Sequence, residues 1–202
     1  MIKNIVFDMG NVLLEWVPEN IVKRFVDDPE RVEKLAKTIF ESEIWHKFDA
    51  NEVTEEDVRN YAKEQLGEDY AEDIDEVLDN WQYCLPVQDS MSRLVKYFHN
   101  KGFGVYMLTN ANVKFVEIKR DLHVLKFMDG YMASYEVGCA KPNEKIYKMF
   151  LKKFDLRAEE CLFIDDLVAN CDGARAVGMT AVLFDGVYDH LVGGLRYYGL
   201  EV

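Results

Sequence analysis

Four short apolar runs constrain this chain more than any other feature: Ile5-Val6-Phe7, Phe103 to Leu108, Cys161 to Ile164 and Thr180 to Phe184. A strand that faces water on one side alternates apolar and polar residues. These runs do not alternate, so they suit strands covered on both faces, as in a parallel sheet. Segments of helical period lie between them. Val87 to His99 puts Met91, Leu94, Val95 and Phe98 on one face, and Asn143 to Phe154 does the same with Ile146, Tyr147, Phe150 and Leu151. Val168 to Val177 and Val187 to Tyr198 continue the pattern. Strand–helix alternation predicts an α/β fold with a doubly wound parallel sheet.

The spacing is uneven. The first run ends before Asp8, and the next begins only near Phe103. The intervening segment has helical period, many acidic residues and no convincing strand. Helix starts read at Pro18-Glu19, Asp28-Pro29-Glu30 and Thr54-Glu55-Glu56, where an acceptor or proline precedes acidic residues. Some four helices exceed what one strand-to-strand crossover needs. The expectation is therefore a core of residues 1–14 and 85–202, with a helical cap inserted at 15–84. The cap leaves the core just after Asp8, on the side where open α/β sheets bind ligands.

Of the 202 residues, 49% are apolar and 13% aromatic, enough for a sizeable core. The net charge of -13 disfavours nucleic acid and anionic membranes as partners. It would also repel a phosphorylated substrate unless a cation reversed the sign inside the site. The four cysteines, Cys84, Cys139, Cys161 and Cys171, form no C-x-x-C pair, which predicts neither a disulfide framework nor a zinc site. Met1-Ile2-Lys3-Asn4 runs straight into a strand without a leader pattern. No apolar stretch approaches the ~18 residues of a membrane helix. The expectation is a cytoplasmic protein, monomeric or homodimeric.

Ligands of open parallel sheets sit beyond the carboxyl ends of the strands. The first run ends in Asp8, the second in Thr109-Asn110 and the third in Asp165-Asp166, and Lys141-Pro142 precedes a helix. One sheet edge would thus gather a nucleophile, a hydroxyl, an ammonium and a carboxylate pair. Asp8 and Asp166 together suit Mg²⁺, which takes hard oxygen ligands. Lys141 and the metal would neutralise a phosphoryl group, Thr109 and its neighbouring N–H would donate to it, and Asp8 would attack phosphorus. Each residue alone also suits a cap or turn. Asp185, which ends the fourth run before Gly186, reads as a turn residue only.

These segments resemble the motifs of the haloacid dehalogenase superfamily. Val6-Phe7-Asp8-Met9-Gly10-Asn11-Val12 is similar to its first motif and Leu108-Thr109-Asn110 to its second. Lys141-Pro142, followed by Ile146-Tyr147, is similar to its third, and Phe163 to Asn170 to its fourth. The wording around Asp8 most resembles α-D-glucose-1-phosphate phosphatases and the phosphatase domain of soluble epoxide hydrolase. The resemblance implies a Mg²⁺-dependent phosphatase acting on a small phosphorylated metabolite, with a C1 cap. It implies Asp8 as nucleophile and metal ligand, and Gly10 as a ligand through its carbonyl. It implies Asp166 as a further ligand, supported by Asp165 and Asn170. Thr109, Asn110 and Lys141 are implied at the phosphoryl oxygens.

The sequence departs from the family at Gly10, where most members carry a second aspartate as general acid and base. Glycine transfers no proton, and that step is typically worth ~10²–10⁴-fold. One expectation is a substrate with a good leaving group. His46 and Glu15 are weaker substitutes for the missing acid. Glu41 to Val53 carries Trp45, His46, Phe48, Asp49 and Asn51, and Trp16 follows the first motif. Such groups suit a cap core, or a substrate wall that stacks on a sugar. Two other readings stand beside the phosphatase: an L-2-haloacid dehalogenase-like hydrolase, and a non-catalytic relative that binds phosphate or a partner. Gly10 leaves room for a metal and Asp165-Asp166 keeps its site acidic, which favours the phosphatase.

Overall fold

The computed structural model describes residues 1–202. Five parallel strands form one sheet: β1 (Asn4–Phe7), β2 (Gly104–Thr109), β3 (Gly130–Ala133), β4 (Cys161–Asp165) and β5 (Thr180–Leu183). Their order is β3-β2-β1-β4-β5, so β1 is central and the winding reverses there. Phe7 pairs with Met107 on one side and Ile164 on the other. This register brings Asp8, Thr109 and Asp165 to the same edge. The α/β expectation holds.

Both faces of β1 and β4 are covered, which is why their runs are continuous. Ile5, Phe7, Leu162 and Ile164 enter one apolar cluster with Leu94, Val95 and Phe98. Val6, Cys161 and Phe163 enter the opposite one with Ile146, Tyr147 and Phe150. Each such buried side chain contributes about 1.5–3 kcal/mol of transfer free energy. β3 has no such signature and escapes the sequence reading. It is an edge strand, its Gly130 and Tyr131 are only half-buried, and its four residues include a glycine.

Five helices follow β1: α1 (Pro18–Val22), α2 (Pro29–Phe40), α3 (Glu43–Asp49), α4 (Glu55–Leu66) and α5 (Ala71–Asn80). Six more alternate with the strands: α6 (Asp89–Asn100), α7 (Phe115–Asp121), α8 (Ser134–Val137), α9 (Glu144–Lys153), α10 (Val168–Ala176) and α11 (Tyr188–Tyr197). Two starts are capped as the sequence predicts. Asp28 accepts from the backbone of Glu30 and Arg31 at 2.9 and 3.0 Å. Thr54 and Asp57 form a reciprocal capping box. The count of helices exceeds the expected four because α5 follows a 3₁₀ turn with no side-chain cap, and so lacks a start signal.

No strand lies within residues 15–84. The chain leaves and rejoins the core through adjacent residues. Glu15 N donates to Pro86 O, and Gln88 N to Leu13 O, both at 2.8 Å. No helix is long and apolar enough to cross a membrane.

Candidate active site

The centre of the site is a buried lysine. Lys141 Nζ lies 2.7 Å from Asp8 Oδ1 and 2.6 Å from Asp165 Oδ2. Its side chain is 1% exposed and that of Asp165 0%, so a directed, charge-assisted contact replaces water. Asp165 also accepts from Asn170 Nδ2 at 3.0 and 3.1 Å and from Leu167 N at 2.9 Å. Both of its oxygens are therefore occupied. Asp166, the next residue, is only partly buried and accepts from Asn11 Nδ2 at 3.0 Å.

Two local devices hold Lys141 in place. The Asn110 side chain accepts from Lys141 N at 2.8 Å and donates to Lys141 O at 2.9 Å. Both polar atoms of the Asn110 side chain thus hold the Lys141 backbone, and Asn110 also lines the cavity. The second device is Gly173 of α10. A Cβ there would lie 2.5 Å from Pro142 O, so only glycine lets the helix approach the lysine loop. Thr109 is 1% exposed, and its hydroxyl donates to Asn110 O at 3.3 Å rather than lining the cavity.

Asn11 has a positive φ of 53°, a conformation asparagine tolerates better than most residues. Its Oδ1 accepts from Trp16 N at 3.0 Å while its amide holds Asp166. It thus couples the acidic edge to the start of the helical segment. The sequence reading named Asn11 only as part of the first motif and missed this bridging role.

Burial pushes the Asp8 carboxyl upward; Lys141 opposes this, and nearby Asp165 adds to it. Burial also raises Asp166, against its bond from Asn11. Lys141 would be depressed by burial, but Asp8 and Asp165 outweigh that and hold it above its ordinary value. Oxygens of Asp8, Asp165 and Asp166 lie within 4.8 Å of one another. Three carboxylates facing one lysine leave an excess of negative charge, and the donors are hard oxygens. This set fits a divalent cation such as Mg²⁺.

A cavity of about 220 Å³ opens over this floor. Asp8, Gly10, Asn110, Lys141, Asp166 and Asn170 line its base. Trp16, Phe40, Trp45 and Trp81 form the roof, with His46 and Asp49 as its polar members. The rings pack edge to face: Trp16 and Trp81 centroids are 5.5 Å apart at 88°, and those of Phe40 and Trp45 4.7 Å apart at 70°. Phe48 sits behind Trp45 as core, and Asn51 lies outside the cavity. Glu15 accepts from Asn20 at 2.9 Å and does not line it either. Phe40 and Trp81 were missed, since nothing in their local sequence separates a lining aromatic from a core one. Asp185 accepts from Val187 N at 3.0 Å and contacts His190 at 2.8 Å, away from the site, as its turn assignment predicts.

The haloacid dehalogenase-like hydrolase family model matches residues 2–178. A sesquiterpene phosphatase of Aspergillus oryzae is 32% identical over 89% of this chain and 88% of its own length. A D-ribitol-5-phosphate phosphatase of Bacteroides thetaiotaomicron is 26% identical over 88% of this chain and 89% of its own. A haloacid dehalogenase family enzyme of Bacteroides thetaiotaomicron, crystallised with magnesium and inorganic phosphate, shares the fold. Its TM-score is 0.69 at 22% identity, covering 95% of this chain and 99% of that one. The strand-end residues, the cavity above them and these likenesses agree: the chain belongs to the haloacid dehalogenase-like hydrolases.

Proposed function

We propose that this hydrolase is a magnesium-dependent phosphatase acting on small phosphomonoesters through an aspartyl-phosphate on Asp8. One observation carries the proposal: a buried lysine wedged between Asp8 and Asp165 at the end of the central strand, with Asp166 within ligand distance of both. The phosphatase names of two full-length relatives support it, as does a structural neighbour crystallised with magnesium and phosphate.

Each residue then has a role. Asp8, Asp166 and the Gly10 carbonyl would hold Mg²⁺, which when bound would supply positive charge against the phosphoryl oxygens. The Asp8 carboxylate attacks phosphorus, and the bond from phosphorus to the ester oxygen breaks. Water then attacks the acyl phosphate and restores Asp8. Lys141 pairs with Asp8 and a phosphoryl oxygen. Thr109 turns its hydroxyl from Asn110 O to the phosphoryl group, and Asn110 holds the lysine. Asp165 and Asn170 orient Lys141 and the loop bearing Asp166.

Residues 15–84 act as a cap that selects the organic group. Its cavity-facing side is mostly aromatic, with only His46 and Asp49 as ionisable members. That favours an organic group with an apolar face over a fully hydroxylated sugar. The test is a panel of prenyl, aryl, sugar and polyol phosphates assayed with Mg²⁺ beside Asp8→Asn. Phosphate release that ignores the Asp8 substitution, or chloride release from 2-haloacids, would overturn the assignment.

A further inference from the structure

The reaction needs a proton for the departing oxygen, and Gly10 cannot supply one. A nucleophile attacking in line pushes its leaving group to the opposite side of phosphorus. The cavity over Asp8 is lined on its other side by residues of the helical segment. The cavity holds five ionisable residues. Asp8, Lys141 and Asp166 belong to the floor, which leaves His46 and Asp49 on the roof. His46 is exposed at the mouth. Asp49 ends α3 and is fixed from the core side: Asn112 Nδ2 donates to its Oδ1 at 3.0 Å, and Ser134 Oγ to its backbone oxygen at 2.5 Å. Asn112 is itself buried and stands two residues beyond Asn110 in the loop after β2. The carboxyl is thereby tied to the strand edge that carries the floor, although it sits in the inserted segment.

We propose that Asp49 is the catalytic acid and base of this site, in place of the aspartate absent at position 10. This rests on the phosphatase assignment. As Asp8 attacks and the phosphorus–oxygen bond breaks, the Asp49 carboxyl gives its proton to the ester oxygen, which leaves as an alcohol. The resulting Asp49 carboxylate takes a proton from the water that attacks the aspartyl-phosphate. Phosphate departs, and both aspartates return to their starting states.

The surroundings suit a carboxyl that changes charge near neutrality. Burial pushes it up to about 7, and hydrogen bonds from Asn112 oppose the rise. Charged neighbours are engaged elsewhere: Lys47 with Glu43 on α3 at 2.8 Å, Lys37 with Glu33 on α2 at 2.7 Å. Lys114 pairs with Glu55 of α4 at 3.1 Å, and Glu136 of α8 with Lys153 at 3.6 Å. His46 on the same helix and the floor groups Asp8, Lys141 and Asp166 are the remaining ionisable residues of the cavity.

The test compares Asp49→Asn with the parent enzyme on esters of graded leaving-group acidity. The variant should lose about 10²–10³-fold in kcat/KM with alkyl phosphates and less than about threefold with p-nitrophenyl phosphate. It should also lose the fall in rate that the parent shows above about pH 7. Carboxyl ¹³C NMR without metal, run in an Asp8→Asn background so that the raised Asp8 carboxyl does not interfere, should reveal an aspartate titrating near neutrality that disappears when Asp49→Asn is added. Asn112→Ala removes a donor to the ionised form, so it should move the alkaline limb upward and gives a second variant should Asp49→Asn fold poorly. Equal losses for both ester classes, or an unmoved alkaline limb, would overturn the role of Asp49 while leaving Asp8 in place. Full turnover by Asp8→Asn would instead bring down the phosphatase assignment on which the role rests.

Discussion

The floor and the roof of the cavity are held by different forces. On the floor, Lys141, Asp8, Asp165, Asn170 and Asn110 are joined by polar contacts of 2.6 to 3.1 Å, each with a required direction. On the roof, Trp16, Phe40, Trp45 and Trp81 touch through ring edges at centroid distances of 4.7 to 6.1 Å, and the buried Trp81 Nε1 has no hydrogen-bond partner. An aromatic pair adds about 0.5–1.5 kcal/mol beyond its burial and accepts several arrangements. A buried ion pair that loses a partner costs far more. The floor therefore resists substitution, whereas the roof can be recut.

Four experiments press on that contrast, in order of expected effect. Asp8→Asn should cut turnover by about 10⁴-fold or more while the protein still folds, because Asp165 remains to pair with the buried Lys141. Retained turnover would mean that the floor is not the reacting surface. Lys141→Met strands Asp8 and Asp165 side by side in a buried place and should destabilise the fold by about 3–5 kcal/mol, read by urea denaturation. A loss under 1 kcal/mol would show the floor to be as forgiving as the roof. Saturating Mg²⁺ should stabilise the parent by about 2.7 kcal/mol at a hundred times its dissociation constant, seen as a Tm rise that Asp166→Ala abolishes. An identical rise in Asp166→Ala would move the cation elsewhere. Trp16→Ala should raise KM about tenfold for esters with apolar organic groups, roughly 1.4 kcal/mol, with little change for methyl phosphate. A uniform loss in kcat would mean that Trp16 serves the floor, through Asn11, more than the roof.

What could be read from the sequence follows the same division. Asp8, Lys141, Asp165 and Asp166 announce themselves because they end buried runs or begin a helix, and strand ends are where such folds place reactive groups. The register that unites them, Phe7 opposite Met107 and Ile164, is seen only in the folded sheet, because runs buried on both faces do not alternate. Asn110 was legible as a site residue but its hold on Lys141 was not, since the partners are backbone atoms 31 positions away. Asp49 and Asn112 are 63 positions apart, and nothing in either local sequence marks the contact. Trp81 and Phe40 stayed hidden for a related reason: a ring at a cavity wall and a ring inside a core obey the same helical period. The edge strand β3 failed the test of continuous apolarity because its first two residues are only half-covered.

The paired hydrogen bonds at the base of the helical segment, Glu15 to Pro86 and Gln88 to Leu13, close the chain where it leaves and rejoins the sheet. The ends of the insertion are fastened together before its helices begin, so to the strands the whole segment is equivalent to a hairpin turn. Closing a longer loop across fixed ends costs only about 0.6 kcal/mol per doubling of length. Beyond that clasp the helices are still bound to the sheet, because Leu35 and Ile39 of α2 share one apolar cluster with Ile5 and Phe7 of β1. A grafted segment from a relative would therefore need a matching apolar underside as well as a carboxyl at the place Asp49 now fills.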